Sequence, residues 1–146
     1  MKKVEPSYWK LQTPRTWPRD YLRNSMNLNL RKGLRFEDQA RDYLLEHGLL
    51  LIQSNYRCRF GEIDLIMLDR DTVCFIEVKF RRSFAFGGAA VAIPRSKQRK
   101  IIKAALFFLA AHKRFAHHAL RFDALLIQQL STGSDFNWIQ NAFYAE

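Results

Sequence analysis

The stretch Glu62-Ile63-Asp64-Leu65-Ile66-Met67-Leu68-Asp69-Arg70-Asp71-Thr72-Val73-Cys74-Phe75-Ile76-Glu77-Val78-Lys79 holds two strand-like runs around a polar turn. Apolar and β-branched residues on both sides of Asp69-Arg70-Asp71 read as a hairpin. Each run also carries charge where an apolar residue would be favoured: Asp64 lies between Ile63 and Leu65, and Glu77 and Lys79 flank Val78. Conflicts of this kind between local pattern and burial mark positions where function overrides packing. Strand side chains alternate, so Glu77 and Lys79 share a face, roughly 7 Å apart along the strand. The turn folds one run back on the other and brings Asp64 near Glu77 across the pair. Two carboxylates and an amine then address one point.

Carboxylate oxygens with open water positions are what Mg2+ or Mn2+ selects, because these hard cations prefer oxygen ligands and retain several waters. Such an ion lowers the pKa of a bound water and polarises a scissile phosphate. Lys79 would orient that water or neutralise charge building on a phosphorane-like transition state. Taken one at a time, these residues describe only an exposed strand face with a Glu–Lys ion pair and an Asp beside a turn. Taken together, in a strongly basic chain, they describe a site.

The chain has 146 residues, the size of one compact domain. Hydrophobic residues make up 48% of it and aromatics 14%, with twelve Phe, enough for a packed core. The formal charge of +10, from 24 Lys and Arg against 14 Asp and Glu, creates a field that attracts polyanions. Nucleic acid is the leading partner class. An acidic membrane surface would attract the same charge, but the apolar runs are too short to span a bilayer. Residues 1–25 have no apolar core followed by a small-residue cleavage site, so a secretory signal is not supported. Cys58 and Cys74 lack metal-binding spacing and suit a reducing cytoplasm as packed thiols.

Outward from the hairpin, residues 1–32 hold three of the four prolines together with Trp9 and Trp17, show no periodicity, and read as a flexible basic arm. The domain proper runs from 33 to 146. Phe36, Ala40, Tyr43 and Leu44 recur at helical spacing between Leu34 and His47, and Gly48 is a natural terminator. Strands follow at Leu49–Tyr56, Glu62–Leu68 and Val73–Phe80, joined closely enough for an antiparallel meander. Residues 81–94, with Gly87, Gly88 and Pro94, read as a loop, and Ile101, Ala105, Phe108 and His112 mark a second amphipathic helix. Strands at Leu120–Gln128 and Trp138–Phe143, separated by the turn-rich stretch 131–135, close the chain. The order α-β-β-β-α-β-β predicts an α/β domain in which helices flank a mixed central sheet, because the strand after the long helix can rejoin the sheet in parallel.

From Arg95 to Arg121 there are eight Lys and Arg and no Asp or Glu. A run so one-signed suits a polyanion, and Lys97, Arg99, Lys100 and Lys103 at the start of the helix are candidates for phosphate contact. Arg81 and Arg82 directly follow the site strand and are placed to hold the substrate backbone. Phe84 and Phe86 offer faces for unpaired bases, although loop aromatics more often cap a core. Glu37 falls at the border of the first helix's inward face, within reach of the metal. Glu62 shares a face with Asp64 and would support it. His112, His117 and His118 lack ligand spacing for zinc, and Asp69 and Asp71 serve their turn.

Gly33-x-x-x-Glu37, Asn55-Tyr56-Arg57-Cys58-Arg59-x-Gly61-Glu62-Ile63-Asp64-Leu65-Ile66, Phe75-Ile76-Glu77-Val78-Lys79-x-Arg81 and Lys97-Gln98 resemble the YraN family of bacterial endonuclease-like proteins. Arg121-Phe122-Asp123 and Asn141-Ala142-Phe143 look like that family's C-terminal pattern. The resemblance spans about residues 33–143 in order, which makes chance agreement implausible. It implies the restriction-endonuclease-like fold shared by archaeal Holliday-junction resolvases and type II restriction enzymes, where an Asp and a Glu-x-Lys bind metal and cleave phosphodiesters. It also implies that Glu37 completes the acidic cluster and that Gln98 joins Lys97 at the nucleic acid; Asp123 matches the pattern too, yet its place in the final helix-to-strand crossover reads as structural.

These readings converge on an endonuclease dependent on Mg2+ or Mn2+ that hydrolyses DNA, branched or repair intermediates included. Asp64, Glu77, Lys79 and Glu37 would be catalytic, with Asp64, Glu77 and Glu37 as metal ligands. The alternative is an inactive nucleic-acid-binding subunit of the same fold, and a third reading is a scaffold whose basic face meets an acidic partner protein. Symmetric substrates such as four-way junctions would favour a two-fold homodimer, although no segment marks an interface. The resemblance begins shortly before Gly33, and a chain starting at Met26 is expected to fold and stay active.

Overall fold

A computed structural model describes residues 36–81 and 93–145. The arm at 1–32, Arg82, Phe84 and Phe86 lie outside the described residues.

Helix α1 (Phe36–Glu46) opens with Glu37 and Asp38 in its first turn, where negative charge complements the helix dipole. Its end is set by Gly48, whose φ of 89° lets the chain reverse. The Leu49 N–H then donates to the Leu44 carbonyl and the Gly48 N–H to the Leu45 carbonyl, each at 3.1 Å. This is the Schellman arrangement, and its apolar partners Leu44 and Leu49 are both in the core. Ala40 and Leu44, four residues apart on one face, are fully buried.

Strands β1 (Leu50–Cys58), β2 (Gly61–Asp69) and β3 (Thr72–Arg81) form the expected antiparallel meander. The chain crosses through α2 (Arg95–Ala111) and a 3-10 turn at Lys113–Phe115, returns as β4 (Ala119–Leu130) parallel to β3, and ends in β5 (Gly133–Phe143) antiparallel to β4. Among the described residues the sheet order is β1-β2-β3-β4-β5. Here, too, no helix is long and apolar enough to cross a membrane.

The two helices cover opposite faces of the sheet. Ala40 and Leu44 of α1 pack with Leu65, Met67, Ile76, Leu125 and Ile127. Phe108 of α2 meets Phe75 edge-on at 6.2 Å between centroids and Tyr56 at 5.2 Å. Because Phe75 and Ile76 are consecutive, they point to opposite faces, so each helix has its own half of the core. Cys74 is buried in the α1 half, where burial pushes its thiol up to about 12, whereas Cys58 is only half-buried.

The last hairpin is longer than its composition suggests. The polar stretch 131–135 reads as a turn, yet only Ser131 and Thr132 lie between the paired Leu130 and Gly133. Phe136 draws the earlier residues into the strand by stacking on Tyr43 of α1 at 4.6 Å. The β4–β5 register shifts between Phe122 and Ala124, at Asp123. That fully buried carboxylate accepts from Arg121 Nε at 2.9 and 3.0 Å, Trp138 Nε1 at 3.1 Å and the Asn141 backbone N–H at 3.0 Å. Arg121 also bonds Asp69 at 2.9 Å, tying β4 to the end of β2. A buried charge is tolerable when it is hydrogen-bonded this fully, so Asp123 is an anchor of the sheet.

Candidate active site at the fork between two strands

The β2–β3 ladder extends from Asp69↔Thr72 to Leu65↔Ile76. From there β2 stays paired with β1 as far as Gly61, and β3 stays paired with β4 as far as Arg81. The two central strands thus part company just where the next opposed residues would be Asp64 and Glu77. Asp64 closes the fork with its side chain: Oδ2 accepts the Val78 backbone N–H at 2.8 Å, a donor that the ladder no longer uses.

Alternation puts Asp64, Glu77 and Lys79 on the face that carries Phe75, the one covered by α2. Glu77 is only 5% exposed, while Asp64 and Lys79 are half-buried. Lys97, in the first turns of α2, brings its ammonium to 2.5 Å from Glu77 Oε1. Burial works against the Lys97 charge, but the hydrogen bond and charge of Glu77, with Asp64 and Glu62 behind it, hold its pKa above the ordinary lysine value.

Burial also dominates at Asp64 and pushes its carboxyl up to about 6. The Val78 N–H bond and Lys97 pull it down, while the negative charges of Glu77 and Glu37 push it further up. Glu37 belongs to α1, on the other face of the sheet, yet its charge still acts on Asp64. The start of α1 is seated over the end of β3 by Phe36 stacking on Phe80 at 3.6 Å between centroids. Crowding and poor solvation make Asp64 resist full ionisation unless a cation joins it.

Among the described residues no three His, Cys, Asp or Glu side chains gather as a ready-made metal cage. Asp64 and Glu77 stand as a pair, with the amine of Lys97 on the second. The donors are all oxygen and one acid is buried, which suits a small hard cation over a thiolate- or imidazole-seeking one.

Several basic-face expectations change in detail. Lys97 is engaged with Glu77 and is not a free phosphate contact. Gln98 donates from Nε2 to the Ile93 carbonyl at 2.7 Å, and its backbone N–H bonds the Pro94 carbonyl at 2.9 Å, so it fixes the entry into α2. Arg81, Arg99 and Lys100 are exposed. Glu62 is paired across β1–β2 with Arg57 at 3.6 Å, both largely exposed, so it does not buttress Asp64 directly. His112 stacks on Phe108 at 4.0 Å and bonds its carbonyl at 2.7 Å, a packing role.

One feature was illegible as a site in the sequence: a cavity of about 460 Å³ between the β1–β2 turn and the start of α2, bordered by Arg57, Cys58, Gly61, Ser96, Lys100 and Ile101. Glu62 and Lys97 also line it, so it opens beside the acidic pair. Gly61 makes the close approach possible. Its φ is 152°, and a Cβ there would stand 3.3 Å from the Cβ of Lys100. The resemblance at Asn55–Ile66 included Gly61 without indicating what its missing side chain accommodates.

The model of the uncharacterised protein family UPF0102 matches residues 36–127. A UPF0102 protein of Stutzerimonas stutzeri is 49% identical over 111 residues, covering 76% of this chain and 92% of its own. Another from Psychromonas ingrahamii is 52% identical over 112 residues, covering 77% and 88%. A third, from Nitrosospira multiformis, is 47% identical over 118 residues, 81% of this chain and 96% of its own. The matched span contains α1, the fork, Lys97 and most of β4, and on that footing the chain belongs to the UPF0102 family, also known as YraN.

Proposed function

We propose that the protein is an endonuclease acting on DNA with Mg2+ or Mn2+ at the fork. The observation that carries this reading is the opposition of Asp64 and Glu77 where β2 and β3 part, with Lys79 two residues on along the same face. Asp64 and Glu77 would hold the cation, with the Glu37 carboxylate, on the other face of the sheet, adding its charge from further off. When bound, the ion would supply an activated water and neutralise charge on the phosphate.

The chain's own groups account for the rest. The Val78 N–H keeps one oxygen of Asp64 fixed, and the other would be the one offered to the cation. Burial of Glu77 excludes competing water and strengthens any charge it meets. Lys79 has the reach to orient the attacking water or to stabilise the phosphorane-like transition state. Lys97 holds Glu77 when no metal is present and is placed to meet a substrate phosphate once released. Arg81, Arg99 and Lys100 offer exposed positive charge to the flanking phosphates.

The Lys97–Glu77 contact also favours a second reading, an inactive binding module in which the lysine permanently replaces the ion. A cleavage panel of linear, single-stranded and branched DNA with Mg2+ and Mn2+ separates the two. The nuclease reading expects metal-dependent cutting that Asp64→Ala, Glu77→Ala and Lys79→Ala each abolish while DNA binding persists. Salt-sensitive binding with no cutting of any substrate would select the module.

A further inference from the structure

We infer that the surface running from the fork along the β1–β2 turn and α2 is a track for an unpaired DNA strand. This inference rests on the nuclease reading and names the form of its substrate: DNA with a single-stranded segment beside the cut.

Two features lie along this surface. Next to Lys97 is the 460 Å³ cavity, its volume within the range that holds small ligands. Lys100 brings positive charge to its border, where Arg57 is paired with Glu62, and Ser96, Cys58 and Ile101 supply a hydroxyl, a thiol and an apolar wall. Further along, Phe60 at the tip of the turn meets Phe107 of α2 edge-on at 5.6 Å. Arg59 lies over both rings, 4.8 Å from the Phe60 centroid and 5.6 Å from that of Phe107. Phe107 is 41% exposed, an unusual setting for a large aromatic that has core to pack against on the same helix.

The helix connects these features. Lys100, Lys103 and Phe107 are spaced by three and four residues and so lie on one stripe, with both lysines exposed. From Lys97 to Phe107 is ten residues, about 15 Å along the axis. Alternating cations and an exposed aromatic platform are the equipment with which proteins hold single strands, since every base has a face to stack. A continuous duplex presents no free base face to Phe107 and no nucleotide to the cavity. An acidic peptide would use the cations but has no need for the rings.

The test uses the full chain without metal, so binding is read apart from cleavage. Fluorescence anisotropy at low salt compares an oligothymidine of about twelve nucleotides with a duplex of equal length. The single strand is expected to bind about tenfold more tightly than the duplex. Phe107→Ala should weaken it by about tenfold, Phe107→Trp should restore it, and Arg59→Ala should weaken it independently of any effect on the core. Equal or tighter binding of the duplex would overturn the inference, as would single-strand affinity indifferent to both Phe107→Ala and Arg59→Ala. Single-strand binding in a protein that never cleaves would sink the nuclease reading and leave the track standing. Cleavage without single-strand preference would do the reverse.

Discussion

The ammonium of Lys97 and the carboxylate of Glu77 meet at 2.5 Å across the cleft between α2 and the sheet, joining a half-exposed cation to an acid that is 5% exposed. Removing the cation leaves a buried charge without its counter-ion, the costly half of any such pair. Lys97→Met is expected to lower stability by about 1–2 kcal/mol, less than for a fully buried pair because Lys97 is partly solvated. Added Mn2+ should then raise the Tm of Lys97→Met more than that of the wild type, since the ion no longer competes with an amine. Thermal melts of both proteins over a Mn2+ series check this; equal shifts would show that Lys97 and metal do not contend for Glu77.

Asp64 gives the metal-free protein a pH dependence of definite sign. Its folded-state pKa, about 6, is above the ordinary carboxylate value of 3.8. Between those limits the folded chain binds more protons than the unfolded one, so this group's contribution to stability falls as pH rises through the window. About 2 kcal/mol should be lost from pH 4 to pH 7 at this site. Asp64→Asn, which keeps an oxygen for the Val78 N–H, should remove that loss and exceed the wild type in stability at neutral pH. Urea unfolding at several pH values measures both, and a wild-type contribution that rises with pH would contradict the assignment.

Asp123 should matter to folding and not to chemistry. Its replacement by Ala removes the acceptor of Arg121 Nε, Trp138 Nε1 and the Asn141 N–H, and leaves Arg121 its bond to Asp69. The expected loss is about 3–5 kcal/mol, visible in urea unfolding. Whatever fraction of Asp123→Ala remains folded should bind Mn2+ as the wild type does. Loss of metal affinity in a fully folded variant would place Asp123 in the site instead.

Gly61→Ala tests the close approach of the β1–β2 turn to α2. The substitution meets both an unfavourable φ and a 3.3 Å contact with Lys100. A loss of about 1–2 kcal/mol is expected, with weaker DNA binding because the cavity wall and the start of α2 move apart. Unchanged stability would mean that the turn yields without cost.

Much of this architecture was legible because period and charge agreed. The helix ended by Gly48, the meander around Asp69–Asp71 and the parallel return of β4 each follow from local pattern. The first residues of β5 did not, because Ser134 and Asp135 favour turns and distant contacts with α1, Phe136 on Tyr43 and Ser134 on Gln39, accompany their place in the strand. At the site, alternation was enough to pair Glu77 with Lys79 and to bring in Asp64. That Glu77 would need a counter-ion follows from its burial, but which cation supplies it depends on how far α2 slides along the sheet. That offset is set by Gly61, Phe108 and their contacts, and no spacing within the helix encodes it. Glu62 shows the same limit: its face was readable, while its bond to Arg57 arises from the β1–β2 register.

The most direct measurement of the central claim is a calorimetric titration of Mn2+ into the wild type and Glu77→Ala, with four-way and linear DNA cleavage assayed on the same samples. The account predicts saturable Mn2+ binding and Mn2+-dependent cleavage by the wild type, and neither by Glu77→Ala. Cleavage that survives in Glu77→Ala, or a wild type that neither binds Mn2+ nor cuts DNA, would contradict it.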